Sequence, residues 1–378
     1  MAGLVSTLLN ALVSLSGTDE DQNIVPPPSA AESAAKGLRK LCEQVTSPEA
    51  SAEQAQIGRE VIATLLQGAL GMDDAKPEGP RTLCSAVVAA TSAIDAIDRR
   101  PEADVAEAGL LRWGHLRVNA LQVLLHLASS EQSCVQVLER TQGEAAVACV
   151  ELLLSNASRT DMEGVRTAVN ILRNLSMPTA SRPCVGSLEQ VYKSLLKHVA
   201  HRDPNTAVVA GATLRILVEG CPPNALRAAH VAVADTEDEH ANDGSVCTSA
   251  VLVKDGFVTI LRADVSKMHP FCRVELARFM CITIANACRA VALSPSAGVD
   301  GSQKSMSALQ LRCFTTPAVL QFAIFLLASK QPPLHREACE ALLAARSVHS
   351  SLSGAWQAVL ALTVPFPGGD RLLTDVLV

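Results

Sequence analysis

Arg166–Met177 reads RTAVNILRNLSM, and three of its residues, Ala168, Leu172 and Leu175, stand at i, i+4 and i+7. That spacing places all three on one face of a helix. The same pattern occurs twice more. Val118–Ser129 (VNALQVLLHLAS) carries Ala120, Leu124 and Leu127, and Val208–Glu219 (VVAGATLRILVE) carries Ala210, Leu214 and Leu217. The Ala positions lie 48 and then 42 residues apart. A helical stripe returning at such intervals predicts a stack of helical layers, because each layer can bury its apolar face only against its neighbours.

Composition agrees. Hydrophobic residues make up 48% of the 378, but aromatics only 3%. β-Sandwiches and barrels lean on aromatic and β-branched residues, so the deficit argues against them. Small Ala lets helix axes approach closely. No apolar run reaches the length of a membrane span, and Val319–Ala328 is cut short by Lys330 and Pro332–Pro333. The net charge of −6, without a basic stretch, makes nucleic acid a poor partner. Twelve Cys stand singly with no C-x-x-C pair. Several (Cys134, Cys149, Cys281, Cys288, Cys339) lie in apolar stripes, which predicts buried thiols and a reducing, cytoplasmic setting.

Ala168–Ser176 (AVNILRNLS) resembles the third helix of an armadillo repeat, in which a small residue leads to Leu-x-Asn-Leu-small. Gly143–Ser155 (GEAAVACVELLLS) is similar to the second helix, and Gln132–Thr141 fits the short first one. Lys254–Asp264 with Pro270–Arg289, and Thr316–Ser329 with Pro332–Ser347, look like two looser second-and-third-helix pairs. The related HEAT repeat has similar features and stays open. The resemblance implies an all-α, right-handed α-solenoid.

We divide the chain accordingly. Residues 1–25 form an N-terminal docking helix, with Leu4, Leu8, Leu12 and Leu15 on one face. A targeting peptide in Met1–Gly17 is the competing reading, but the first basic residue is Lys36. Residues 26–110 hold irregular helical repeats, in which Ala52–Leu70 and Arg81–Arg99 are helical without clean repeat features. Residues 111–349 are armadillo-like, with insertions at 235–250, whose acidic core is Asp235–Ser245, and at 294–307. Residues 350–378 cap the end. Pro178, Pro222–Pro223, Pro270 and Pro332–Pro333 all fall between periodic segments, where Pro starts or stops helices.

No P-loop, dinucleotide, zinc-protease or nucleophile-elbow motif is present. His198, His201 and Asp203 could face a metal, but they also suit a helix C-terminus, where cations meet exposed carbonyls. The acidic insertion lacks the calcium-loop order of ligands. Asn156 and Asn174 match glycosylation sequons by chance in a chain read as cytoplasmic.

The armadillo resemblance implies that Asn174 lines a concave groove and bonds the main chain of an extended peptide. Arg166, Asn170 and Arg173 share its helix face. Through the repeat offsets Asn174 corresponds to His126 and Ile216, and Asn170 to Gln122. Arg215 stands beside Ile216, and Asn286 is a second candidate groove Asn. The tryptophan ladder of importin-type repeats is missing, so peptide reading of that type does not transfer. Val118, Leu125, Val208 and Ile216 make the expected face partly apolar, which calls for a partner or another part of the chain to cover it.

The expected function is therefore a non-catalytic scaffold or adaptor, or a subunit of a larger complex, binding protein partners through the concave face. No cofactor, metal, catalytic residue, small-molecule substrate, nucleic acid or membrane insertion is expected. A regulatory chaperone cofactor or a nucleotide-exchange factor for a G protein or Hsp70 is the alternative. An enzyme with an unfamiliar site ranks third, because His residues are sparse and charges paired.

Overall fold

A computed structural model describes residues 2–13, 29–45, 47, 49–67, 79–98, 103–159, 161–234, 269–293, 332–348, 363–366 and 369–372. Two compact units divide the chain, Met1–Leu188 and Glu189–Val378.

The first unit is built from α1 (Ala2–Val13), α2 (Ser29–Glu43), α3 (Ala52–Gln67), α4 (Gly79–Asp98), α5 (Ala103–Leu127), α6 (Glu131–Thr141), α7 (Glu144–Leu154), α8 (Met162–Ser176) and the short α9 (Arg182–Gly186). A 3-10 turn, Asn156–Arg159, links α7 to α8. Pairs α1/α2, α4/α5 and α7/α8 pack within layers, and the layers repeat sideways: α1 on α4 on α7, and α2 on α5 on α8. In each complete layer a first helix, α3 or α6, packs beside the pair.

The segment expected to be irregular therefore contains a regular layer. α3 (Ala52–Gln67) and α4 (Gly79–Asp98) supply its first and second helices, and α5 is its third. The division drawn at 110/111 falls inside α5. The layer was hard to read because α5 is 25 residues long, about 37 Å. Its repeat-like stripe occupies only the C-terminal half.

α1 packs on α2 and α4 of its own unit. Its buried residues are Val5, Leu9 and Leu12, while Leu4 is 48% exposed. The face is rotated by one residue from the Leu4/Leu8/Leu12/Leu15 stripe. The apolar side of α1 is broad, with Leu4, Val5, Leu8, Leu9 and Leu12 opposite Ser6, Thr7 and Asn10, so its pattern permitted two faces and packing selected one. Leu15 lies outside the described residues.

Local chemistry sets the helix ends. Ser130 caps α6 in a reciprocal box with Ser133: each hydroxyl accepts from the other's backbone N–H, at 3.2 and 3.0 Å. Gln142 (φ 51°) and Gly143 (φ 88°) reverse the chain into α7, and Gly143 donates its N–H to Leu138 O at 3.0 Å. Gly fits where a Cβ would be strained. Asp161 caps α8 by accepting from Gly164 N at 2.7 Å.

The second unit contains α10 (Glu189–His198), α11 (Pro204–Val218), α12 (Pro222–Ala234), α13 (Pro270–Leu293) and α14 (Pro332–Val348). α11, α13 and α14 pack side by side in that order, with α12 against α11 and α13. Four of these helices begin at a proline, whose missing N–H costs nothing in the first turn. The expected partner helices at Lys254–Asp264 and Thr316–Ser329, and both insertions, lie outside the described residues.

The C-terminal stretch departs from an all-helical expectation. Thr363–Phe366 and Gly369–Leu372 pair as an antiparallel hairpin with Thr363 opposite Leu372. Val, Thr and Phe flanked by Pro and Gly favour extended pairing over a helix. Elsewhere the described elements are helices. All nine stripe residues, Ala120, Leu124, Leu127, Ala168, Leu172, Leu175, Ala210, Leu214 and Leu217, are 0% exposed. Their burial, about 1.5–3 kcal/mol for each Leu, makes them the spine of their units.

Candidate interaction surface

In the first unit α5 and α8 lie side by side and bring six of the candidate residues onto adjacent helices. Gln122 Nε2 donates to Thr167 Oγ1 at 3.1 Å, and Thr167 Oγ1 donates to Glu163 O at 2.8 Å. His126 is half-buried, and burial holds its imidazole below the usual value, with Glu43 opposing and Arg39 adding to the shift. Arg166 is exposed, and Asn170 Nδ2 donates back to Arg166 O at 2.9 Å within the helix. Arg173 is half-buried.

Asn174 has a structural task. Its Nδ2 donates to Ala128 O at 2.9 Å, one residue past the end of α5. The last carbonyls of a helix have no intrahelical donor, so this bond closes one end of the preceding layer. Asn286 does the same in the second unit: it is 8% exposed, and Nδ2 donates to Val218 O, the last residue of α11, at 2.8 Å. The two candidate groove asparagines are thus inter-layer clamps on third helices. For Asn286 this is a correction, because burial against α11 removes it from an open face.

Arg215 and Ile216 are corrected too. Ile216 is 5% exposed and belongs to the core. Arg215 spends its guanidinium on Glu219 at 2.8 Å and on Glu275 at 2.5 Å. The chain of charges continues through Arg278, 3.6 Å from Glu275, to Glu337 on α14, which receives Nε and Nη2 at 3.0 and 2.8 Å. Contact with Glu337 holds the Arg278 guanidinium above its ordinary value. Glu337 is 5% exposed, so this ladder stitches α11, α13 and α14 through a partly dry seam.

The first unit has its own cross-layer pairs, which sequence reasoning missed. Arg112 Nε meets Glu32 Oε2 at 3.1 Å, and Arg39 Nη1 donates to Asn119 Oδ1 at 3.2 Å, both across α2 and α5. Arg117, only 1% exposed, donates Nε and Nη2 to Asp161 Oδ2 at 3.1 and 2.7 Å. Burial lowers the Arg117 pKa and Asp161 opposes that. A signal was present: Arg117 precedes Ala120 by three and Leu124 by seven, which puts a cation on the core stripe.

The metal alternative has no geometry. His198 is 3% exposed with Nδ1 on Ser194 O at 2.8 Å, in the last turn of α10. His201 Nδ1 accepts from Asp203 N at 3.1 Å, and Asp203 caps α11 through Thr206 N at 3.2 Å. Among the described residues no three His, Cys, Asp or Glu gather as a metal site. Cys134, Cys149, Cys281 and Cys288 are buried, and Cys339 is half-buried. Burial pushes the thiols of Cys42, Cys84, Cys281 and Cys288 up to about 12, so they stay protonated. No described helix is long and apolar enough to cross a membrane.

No protein-family model matches the chain, and no curated protein is similar to it in sequence. Among solved structures, an engineered protein from a structural-genomics programme aligns with 82% of this chain and 97% of its own, at 15% identity and a TM-score of 0.43. A designed armadillo repeat protein covers 82% of this chain and 99% of its own, at 14% identity and a TM-score of 0.39. The architecture is read from the layers themselves: within each unit helices lie side by side, one closed by an asparagine from the next, and the layers form an all-α helical repeat fold.

Proposed function

We propose that the chain is a non-catalytic protein-binding scaffold or adaptor, engaged through the face made by α2, α5 and α8. One observation carries this reading: polar side chains on neighbouring third helices are tied to one another across layers. Gln122, Asn174, Arg112 and Arg39 each hold a partner on the adjacent helix or its end. Such cross-ties fix an extended face in one shape before a partner arrives, which lowers the ordering cost of association.

The test is crosslinking of the full-length chain in its native cells, followed by mapping of the linked residues. Linkage of one stoichiometric partner to α2, α5 and α8 is expected. A chain that sizes as a free monomer, with only internal crosslinks, would refute the proposal. If the partner is a GTPase or an Hsp70, faster nucleotide release on adding this chain would identify the regulatory form of the same activity.

A further inference from the structure

A cleft of about 580 Å³ opens beside the N-terminal half of α5, lined also by the end of α4 and the start of α8. We propose that it receives an extended segment of a partner protein in which a Lys or Arg stands within three residues of a large aliphatic side chain. This rests on the scaffold reading and specifies the chemistry of one contact.

The charges decide the sign. Each arginine lining the cleft already holds a carboxylate, and the one histidine there stands beside another. Arg39 bonds Glu43 at 2.6 Å, Arg117 bonds Asp161 at 2.7 Å, and His115 faces Glu32 at 3.5 Å. Two further lining carboxylates, Asp98 and Glu163, are exposed and pair with no described cation. Among the described lining residues negative charge is therefore in excess, and a basic side chain is its complement.

Three features serve a ligand better than they serve the fold. Asp98 is the last residue of α4, where a carboxylate meets exposed carbonyls of its own sign. Leu111 is 61% exposed at the cleft, with Leu110 and Ile94 deeper, so an apolar surface waits beside the carboxylates. Gly114 lies in mid-helix, where Gly is a poor helix former, and a Cβ there would touch nothing within 4 Å. The space above it is open, and no close approach of backbone requires glycine. A fourth feature is polar. Arg117 lines the cleft, yet its buried Nη1 has no acceptor. A main-chain carbonyl brought in by an extended segment would supply one after a small swing of the guanidinium.

The site is separate from the asparagine positions. Glu163 stands at the start of α8, while Asn170 and Asn174 lie two and three turns further along.

The experiment pans a randomised ten-residue phage-displayed peptide library on the full chain. Fluorescein-labelled versions of enriched peptides are then titrated by anisotropy. The expected consensus places Lys or Arg one to three positions from Leu, Ile or Met. Binding should be lost in Gly114→Leu, which fills the opening while favouring the helix. It should fall about tenfold in the double variant Asp98→Asn/Glu163→Gln, as two exposed ion pairs at the upper end of their range allow. Leu343→Ser, at an exposed residue of the second unit, should change nothing. No enrichment over the Gly114→Leu chain, a neutral or acidic consensus, or affinity indifferent to the double variant would each overturn the proposal. If native crosslinking finds a partner that binds the double variant unchanged, the cleft reading falls while the scaffold reading stands.

Discussion

Replacing Asp161 by Ala would remove two contacts at once and strand a charge. Asp161 Oδ1 accepts the Gly164 N–H at 2.7 Å as the cap of α8, while Oδ2 holds Arg117. Loss of the cap costs about 1 kcal/mol. The larger effect falls on Arg117, whose side chain is 2% exposed and cannot reach water without opening the α5/α8 seam. Breaking a buried pair by deleting one partner costs about 3–5 kcal/mol. Asp161 itself is 15% exposed, so the lower end applies, and the sum comes to about 4 kcal/mol. Arg117→Met should cost less, about 1–2 kcal/mol, because the carboxylate left behind reaches solvent and keeps its cap. The asymmetry is the point. Hydrogen exchange at α5 and α8 amides, followed as denaturant rises, reads it locally, as a chain of two units requires. Equal losses from the two variants, or an Asp161→Ala loss no larger than that of exposed Asp98→Ala, would refute the idea that Arg117 depends on this carboxylate.

The clamps rank by burial: Asn286→Ala leaves the Val218 carbonyl buried without a donor and should cost about 1–3 kcal/mol, whereas half-buried Asn174→Ala should cost about 1 kcal/mol, both measured by denaturant midpoint. A Cβ at Gly58 would lie 2.7 Å from Val45 Cγ2 and 2.8 Å from Leu41 O, so Gly58→Ala should lower the melting temperature through about 1–3 kcal/mol of overpacking between α2 and α3. Burial depresses the His198 and His126 pKa values below 6.5 in the folded chain. The unfolded chain therefore binds more protons just below that value, so stability is full above it and declines as pH falls towards the folded pKa. A His198→Gln variant should show a shallower acid-side decline in urea midpoints between pH 7 and 5, and an unchanged slope would count against the buried neutral ring.

Helical layering was legible because it depends on repetition of one simple feature. Ala168, Leu172 and Leu175 recur at Ala120, Leu124, Leu127 and at Ala210, Leu214, Leu217, and a buried stripe cannot vary without opening a cavity. The earlier layer escaped because α5 carries Gly114 and exposed Leu111 in its first half, so its clean stripe begins only at Ala120. α1 was found but turned to the wrong face, since Leu4, Val5, Leu8 and Leu9 offer apolar neighbours in two directions.

Side-chain roles were less legible, for a physical reason. A polar residue opposite the core stripe can face a ligand or reach sideways to the next layer, and sequence spacing within one helix is the same in both cases. The acceptors of Asn174 and Asn286 lie 46 and 68 residues away in the chain. No local pattern specifies them. Polar residues on the stripe itself are another matter. Arg117 and Glu337 occupy core-facing positions, where an unpaired charge would be prohibitive, so each announces a partner even before that partner can be named. In a layered helical chain, then, the charges worth pursuing first are those inside the apolar stripe, because burial forces them to be satisfied. Asp98 and Glu163 mark the opposite case: exposed carboxylates that pair with no cation among the described residues, beside a cleft whose arginines already hold carboxylates.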